Sequence, residues 1–146
     1  MPCKVEWYDG ITNEIFYYLA LCQVERYDVI THEWQSCSNL QSKRIGGSAA
    51  NLNDSIYVMG GNDGENYLNT VERYLDGDWV YVASMNMKRS SSAAVACGGY
   101  IYVCGGYDGV ERVNTVERYD PVKDKWEFIS PMVYSRGGAA VAVIEA

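Results

Sequence analysis

Ile56-Tyr57-Val58-Met59-Gly60-Gly61-Asn62-Asp63-Gly64, followed shortly by Val71-Glu72-Arg73-Tyr74, returns 45 residues later. The second copy reads Ile101-Tyr102-Val103-Cys104-Gly105-Gly106-Tyr107-Asp108-Gly109 and Val116-Glu117-Arg118-Tyr119-Asp120-Pro121. Val24-Glu25-Arg26-Tyr27 is a third copy of the second segment. Working outward, Trp34, Trp79 and Trp126 are spaced by 45 and 47 residues, and so are Arg44, Arg89 and Arg136. Several independent markers on one period define a repeat protein whose units stack on their neighbours.

Each unit reads as short strands separated by turn signals. In the first full unit these are residues 48–53, 55–59, 70–75 and 79–83, with Asn53-Asp54 as a tight turn and 60–64 as a breaker-rich loop. The next unit repeats the pattern at 92–97, 100–104, 115–120 and 126–130. No window carries a helical period. Several strands are apolar on both faces, as sheets stacked between other sheets require.

Four strands per unit, a double glycine and a later tryptophan resemble the Kelch repeat, and within it most closely the Kelch-like adaptor proteins. The resemblance covers residues 23–146. It implies an all-β fold of Kelch-type β-propeller blades, each a four-stranded antiparallel sheet. The propeller is incomplete: a partial blade at 23–43, a blade at 44–88, a blade at 89–135, and a closing first strand at 136–146. Two readings of residues 1–22 stand side by side. Residues 15–21 supply a second strand, or residues 5–16, which mimic 24–35, are the remnant of another blade.

Composition excludes several classes. The net charge is −7 and no Lys or Arg run offsets it, so nucleic acid is not expected. The longest apolar run, residues 15–22, is too short to span a bilayer, so no membrane association is expected. Five cysteines, Cys3, Cys22, Cys37, Cys97 and Cys104, form no CxxC pair. With no secretion signal at the start, free thiols and a cytoplasmic or nuclear location are the expectation.

The periodic residues read as scaffold. The double glycines sit in no phosphate-binding pattern and no helix follows them. Trp34, Trp79 and Trp126 are expected between blades, and the periodic arginines are expected to hydrogen-bond backbone carbonyls. Glu25, Glu72 and Glu117, one per repeat, suggest scaffold rather than a catalytic carboxylate pair. The single histidine, His32, falls on a turn, which leaves no imidazole cluster for metal or nucleophilic chemistry. No enzyme activity, cofactor or metal is expected.

Function in a repeat scaffold belongs to the loop positions that vary between units. By position, Asn62, Tyr67, Ser90, Ser91, Tyr107 and Arg112 are the candidate partner-binding residues. In Kelch-like adaptors the equivalent loops ring one mouth of the propeller and grip a peptide. The resemblance therefore implies a protein-protein interaction module, the substrate-recognition part of a cullin ubiquitin-ligase adaptor without its BTB and BACK domains. The alternative is an actin-binding Kelch protein. About three blades leave apolar end faces and strand edges open. Association with a second copy or with other Kelch chains is the corresponding expectation.

Overall fold

The computed structural model describes residues 22–144. It is all-β, with no helix among those residues. A two-stranded sheet pairs β1 (Glu25–Asp28) with β2 (Glu33–Ser36). Two four-stranded antiparallel meanders follow. The first holds β3 (Ser48–Leu52), β4 (Ser55–Met59), β5 (Val71–Leu75) and β6 (Asp78–Val82). The second holds β7 (Ala93–Cys97), β8 (Tyr100–Cys104), β9 (Val116–Asp120) and β10 (Lys125–Ile129). These sheets are the incomplete set of blades that the repeat implies. Both readings of the N-terminal segment fall outside the described residues.

Turn chemistry sets the register. Asn53 and Asp54 take left-handed φ of 52° and 58°, the two-residue turn whose twist matches a hairpin. It aligns Leu52 opposite Ser55 and Ser48 opposite Met59. The β1–β2 and β9–β10 turns are longer. Asp28 Oδ1 accepts from the Ile30 and Thr31 amides, and Asp120 Oδ1 from those of Val122 and Lys123. The turns close on His32 and Asp124, with φ of 59° and 47°. His32 is exposed there.

Successive residues of a strand point to opposite faces, and β4 shows what each face meets. Tyr57 and Met59 join Val71, Met85, Ile101, Val103, Tyr119 and Trp126 in the core between the two full blades. Val58, between them, joins Val24, Leu40 and Trp79 in the core shared with the partial blade. Small residues let the inner strands approach closely: Ala50, Ala94 and Ala96 line the first core, and Ser48 Oγ lies 3.1 Å from Ser92 Oγ.

Each buried tryptophan locks its blade to the preceding one. Trp79 Nε1 donates to Ser38 O at 2.9 Å, and Trp126 Nε1 donates to Ala83 O at 2.8 Å. They are 4% and 3% exposed, whereas Trp34 is 48% exposed. Trp34 occupies the same repeat position, but no preceding blade lies among the described residues to cover it.

Two expectations differ from the structure, the burial of Trp34 between blades and the closing first strand. Residues 138–144 form no strand and are largely exposed. A first strand is zipped to the second strand of its own blade, and the described residues supply none for it. Cys97 and Cys104, on adjoining strands, are not neighbours: Cys97 stands opposite Tyr100 and Cys104 opposite Ala93. That places them at opposite ends of the hairpin, on the order of 13 Å apart along it, too far for a disulfide. Cys22, Cys37, Cys97 and Cys104 are free. Cys3 lies outside the described residues.

Candidate functional site

The mouth loops stand on a buried ionic scaffold. Arg44 Nε donates to Glu72 Oε1 at 3.0 Å, while its Nη1 donates to the carbonyls of Gly60 at 2.9 Å and Thr70 at 2.8 Å. Its Nη2 donates to Thr70 Oγ1 at 2.9 Å. Arg89 repeats the set with Glu117, Gly105, Thr115 and the Thr115 hydroxyl. Both ion pairs are fully shielded from solvent. Burial pushes the Arg44 guanidinium down, opposed by the charge of Glu72. The carboxylates also cap the inter-blade linkers: Glu72 accepts from the amides of Gln41 and Ser42, and Glu117 from those of Asn86 and Met87. Such saturation of donors and acceptors is what makes a buried charge pair tolerable.

The double glycine is where this scaffold meets the next linker. A Cβ on Gly60, at φ +66°, would lie 2.2 Å from the Arg89 carbonyl oxygen, and one on Gly105, at φ +64°, 2.4 Å from that of Arg136. Only glycine accommodates both the left-handed backbone and that approach. Gly61 N then donates to Arg89 O, and Gly106 N to Arg136 O, both at 2.7 Å.

Immediately beyond, the chain folds five of the six sequence-predicted residues, all but Ser91, into two ladders. Asn62 bridges Ile45 on one side and Tyr67 on the other, and Tyr107 bridges Ser90 and Arg112 in the same way. Tyr67 and Tyr107, from successive blades, meet edge-on with ring centroids 5.2 Å apart. The β4–β5 and β8–β9 loops thus form one continuous surface. The linkers tie it further: Ser91 N donates to Gly46 O at 2.7 Å, and Gly138 N to Ser91 O at 2.8 Å. Arg112 and Ser91 are exposed, and Asn62, Tyr67, Ser90 and Tyr107 are half-buried. A Cβ on Gly137 would lie 3.5 Å from the Arg112 side chain, so the guanidinium stem runs along the linker beyond Arg136.

Sequence reasoning missed two features of this surface. The loop tips are held by carboxylates. Asp63 Oδ1 accepts from the Glu65 and Asn66 amides, and Asp108 Oδ1 from those of Val110 and Glu111. Backbone amides, Asn66 foremost for Asp63 and Glu111 foremost for Asp108, hold both carboxyls below the usual aspartate range. The repeated Asp-Gly at 63–64 and 108–109 was the available signal. The second is the left-handed backbone of the candidate Ser91, at φ +53° where the equivalent Gly46 and Gly138 take +65° and +69°. The surface offers an aromatic pair, a guanidinium, hydroxyls and an amide. No group of three or more His, Cys, Asp or Glu among the described residues is placed to hold a metal ion.

Four-stranded meanders stacked face to face, with equally spaced Arg–Glu couples within blades and Trp bonds between them, define β-propeller blades. The Kelch motif family matches residues 43–86 and 88–133, more than half of the chain, and the chain belongs to that family. It is 45% identical over 51 residues to Kelch-like protein 4 of Homo sapiens, covering 35% of this chain and 7% of that protein. It is 42% identical over 48 residues to Kelch-like protein 5 of Homo sapiens, covering 33% of this chain and 6% of that protein. The chain spans less than a tenth of the length of these curated relatives.

Proposed function

We propose that the chain is a protein-interaction module that grips a segment of a protein partner with the mouth surface built from Asn62, Tyr67, Ser90, Ser91, Tyr107 and Arg112. The observation that carries this reading is the juncture of Tyr67 and Tyr107, 5.2 Å apart and drawn from successive blades. The rigid scaffold is the same in both blades, while the residues it presents at the mouth differ. Aromatic and guanidinium groups in that setting are the types that dominate protein-protein binding energy. Membership of the Kelch family and similarity to Kelch-like proteins support an interaction role rather than catalysis.

The finer reading is substrate recognition for a cullin ubiquitin ligase, in the cytoplasm or nucleus, with cullin contact residing in parts of such adaptors outside these repeats. Affinity capture from cells treated with a proteasome inhibitor tests it, comparing the unaltered chain with Arg112→Ala and Tyr107→Ala. Proteins that carry ubiquitin and are lost with both variants are expected. Capture of actin filaments instead would move the assignment to the cytoskeleton, and a captured set indifferent to both variants would overturn the mouth as the site.

A further inference from the structure

Residues opposed across an antiparallel bridge present their side chains on the same face. Ile45, Asn62 and Tyr67 therefore form one row at the mouth, and Ser90, Tyr107 and Arg112 form the next. The rows hold equivalent repeat positions but differ in chemistry. The second offers a hydroxyl, a phenol and a guanidinium, whereas the first begins on an apolar side chain. Ile45 is 49% exposed there. Its main chain is pinned, because its N–H donates to Asn62 O and its carbonyl accepts from Asn62 N, both at 2.8 Å. Ser90 and Gly137 stand at the same position of the other linkers, so the repeat itself does not require an isoleucine.

Asn62 does not fill the middle of the first row. Its Oδ1 accepts from Gly64 N at 2.7 Å, which turns the amide into its own loop. Ile45 and Tyr67 flank it two strand spacings apart, roughly 9–10 Å between backbones. Tyr107 closes the side toward the next blade, its ring meeting that of Tyr67 edge-on at 5.2 Å. The Tyr67 ring also rests on the β8–β9 loop tip, since a Cβ on Gly109 would lie 3.0 Å from it. A Cβ on Gly46 would lie 2.8 and 3.0 Å from the Ser90 and Ser91 hydroxyl oxygens, so both hydroxyls sit beside Ile45. Ile45, Tyr67 and Tyr107 thus wall a slot over Asn62, and Ser90, Ser91 and Arg112 rim it. An apolar centre within a polar rim is the arrangement of protein-binding surfaces.

We propose that this slot seats one bulky apolar side chain of the partner segment, and that Ile45 determines that choice; the inference rests on the mouth reading above. An aliphatic or aromatic side chain in the slot covers the exposed face of Ile45 and both rings. A carboxylate is disfavoured, because the first row holds no cation and Asp63 follows it directly. Ser90 and Arg112 in the second row suit polar residues of the segment on either side. Ile45 therefore sets which residue is selected as well as how tightly it is held.

A random peptide library displayed on phage and panned on the 146-residue chain tests this, with Ile45→Ser, Arg112→Ala and Tyr107→Ala panned beside it. Ile45→Ser installs the residue that the next blade carries at this position, so its melting temperature should match that of the unaltered chain. The unaltered chain is expected to enrich sequences sharing one Leu, Ile, Met or Phe position. Ile45→Ser should lose that preference and bind the best peptide about tenfold or more weakly. Arg112→Ala should keep the apolar position and lose the polar ones beside it. Enriched sequences without a shared apolar position, an apolar preference that survives Ile45→Ser, or a much lower melting temperature in that variant would each overturn the slot while leaving the mouth in place. Enrichment of nothing, or of sequences indifferent to both Arg112→Ala and Tyr107→Ala, defeats the mouth reading and the slot with it.

Discussion

Arg89 and Glu117 meet at 3.1 Å with no solvent exposure of either side chain, and Arg44 and Glu72 reproduce the arrangement one blade earlier. Arg89 reaches around the double glycine to two carbonyls and a hydroxyl, so the ion pair fastens the linker to the blade it enters. Removing one partner leaves an uncompensated buried charge. Glu117→Gln is expected to cost about 3–5 kcal/mol. Arg89→Met combined with Glu117→Leu should cost less than the sum of the single changes. Urea unfolding of the set checks this, and simple additivity would contradict the coupling.

The tryptophans should separate cleanly. Trp126→Ala removes a buried indole and leaves the Ala83 carbonyl without its donor, a loss of roughly 3–5 kcal/mol. Trp34→Ala, at the half-exposed equivalent position, is expected to change the stability of the separated chain by under about 1 kcal/mol. Thermal melts at low protein concentration compare the two. Equal losses would mean that Trp34 is covered as fully as Trp126.

At the mouth, Arg112→Ala should leave unfolding within about 0.5 kcal/mol of the unaltered chain, because the side chain is exposed. Its effect is expected in partner affinity, weakened by about tenfold or more if it anchors the partner. Measured by titration against a captured partner, unchanged affinity would remove Arg112 from the site. A large drop in stability would make it scaffold.

Ser91 is the sharper probe of function. It holds a left-handed φ of +53° at a position where Gly46 and Gly138 serve the other linkers. Left-handed strain of about 1–2 kcal/mol is opposed by the backbone freedom that glycine would add to the unfolded chain, about 0.5–1 kcal/mol. Ser91→Gly should therefore be near neutral or slightly stabilising by melting temperature. Weaker partner binding in that variant reports on the hydroxyl. Marked destabilisation would show a structural role instead.

The loop tips should respond to acid in a set direction. Asp108 has its carboxyl held low by the Glu111 and Val110 amides. A group depressed in the folded loop contributes order fully above its unfolded pKa, and that order is lost as pH falls through the depressed value. Amide exchange at Val110 and Glu111 should stay slow through mildly acidic pH and accelerate only below the usual aspartate range. Asp108→Ala should abolish the protection at every pH, and fast exchange in the unaltered chain at pH 5 would contradict the capping.

The strands were legible because turn residues punctuate them: Asn53-Asp54 fixes the β3–β4 register without help from distant parts of the chain. The ladder positions of Asn62, Tyr67, Ser90, Tyr107 and Arg112 were legible because equivalent loops differ in sequence while their flanks repeat. The partnership of Arg89 with Glu117 was present only as a constant offset of 28 residues, which spacing alone cannot distinguish from two unrelated markers. Trp34 and residues 138–144 carry the repeat pattern but not its burial. Pattern is local to a blade, whereas covering and strand pairing come from a neighbour.

The Trp79–Ser38 and Trp126–Ala83 bonds give the array a polarity. Both complete blades donate backward, to a carbonyl belonging to a blade made earlier in synthesis. A nascent blade therefore finds its acceptor already displayed, while the earlier blade waits for nothing from its successor through this bond. Order spreads from neighbour to neighbour in repeat proteins, and here the indole bonds direct it from the N-terminal side, in step with the emerging chain.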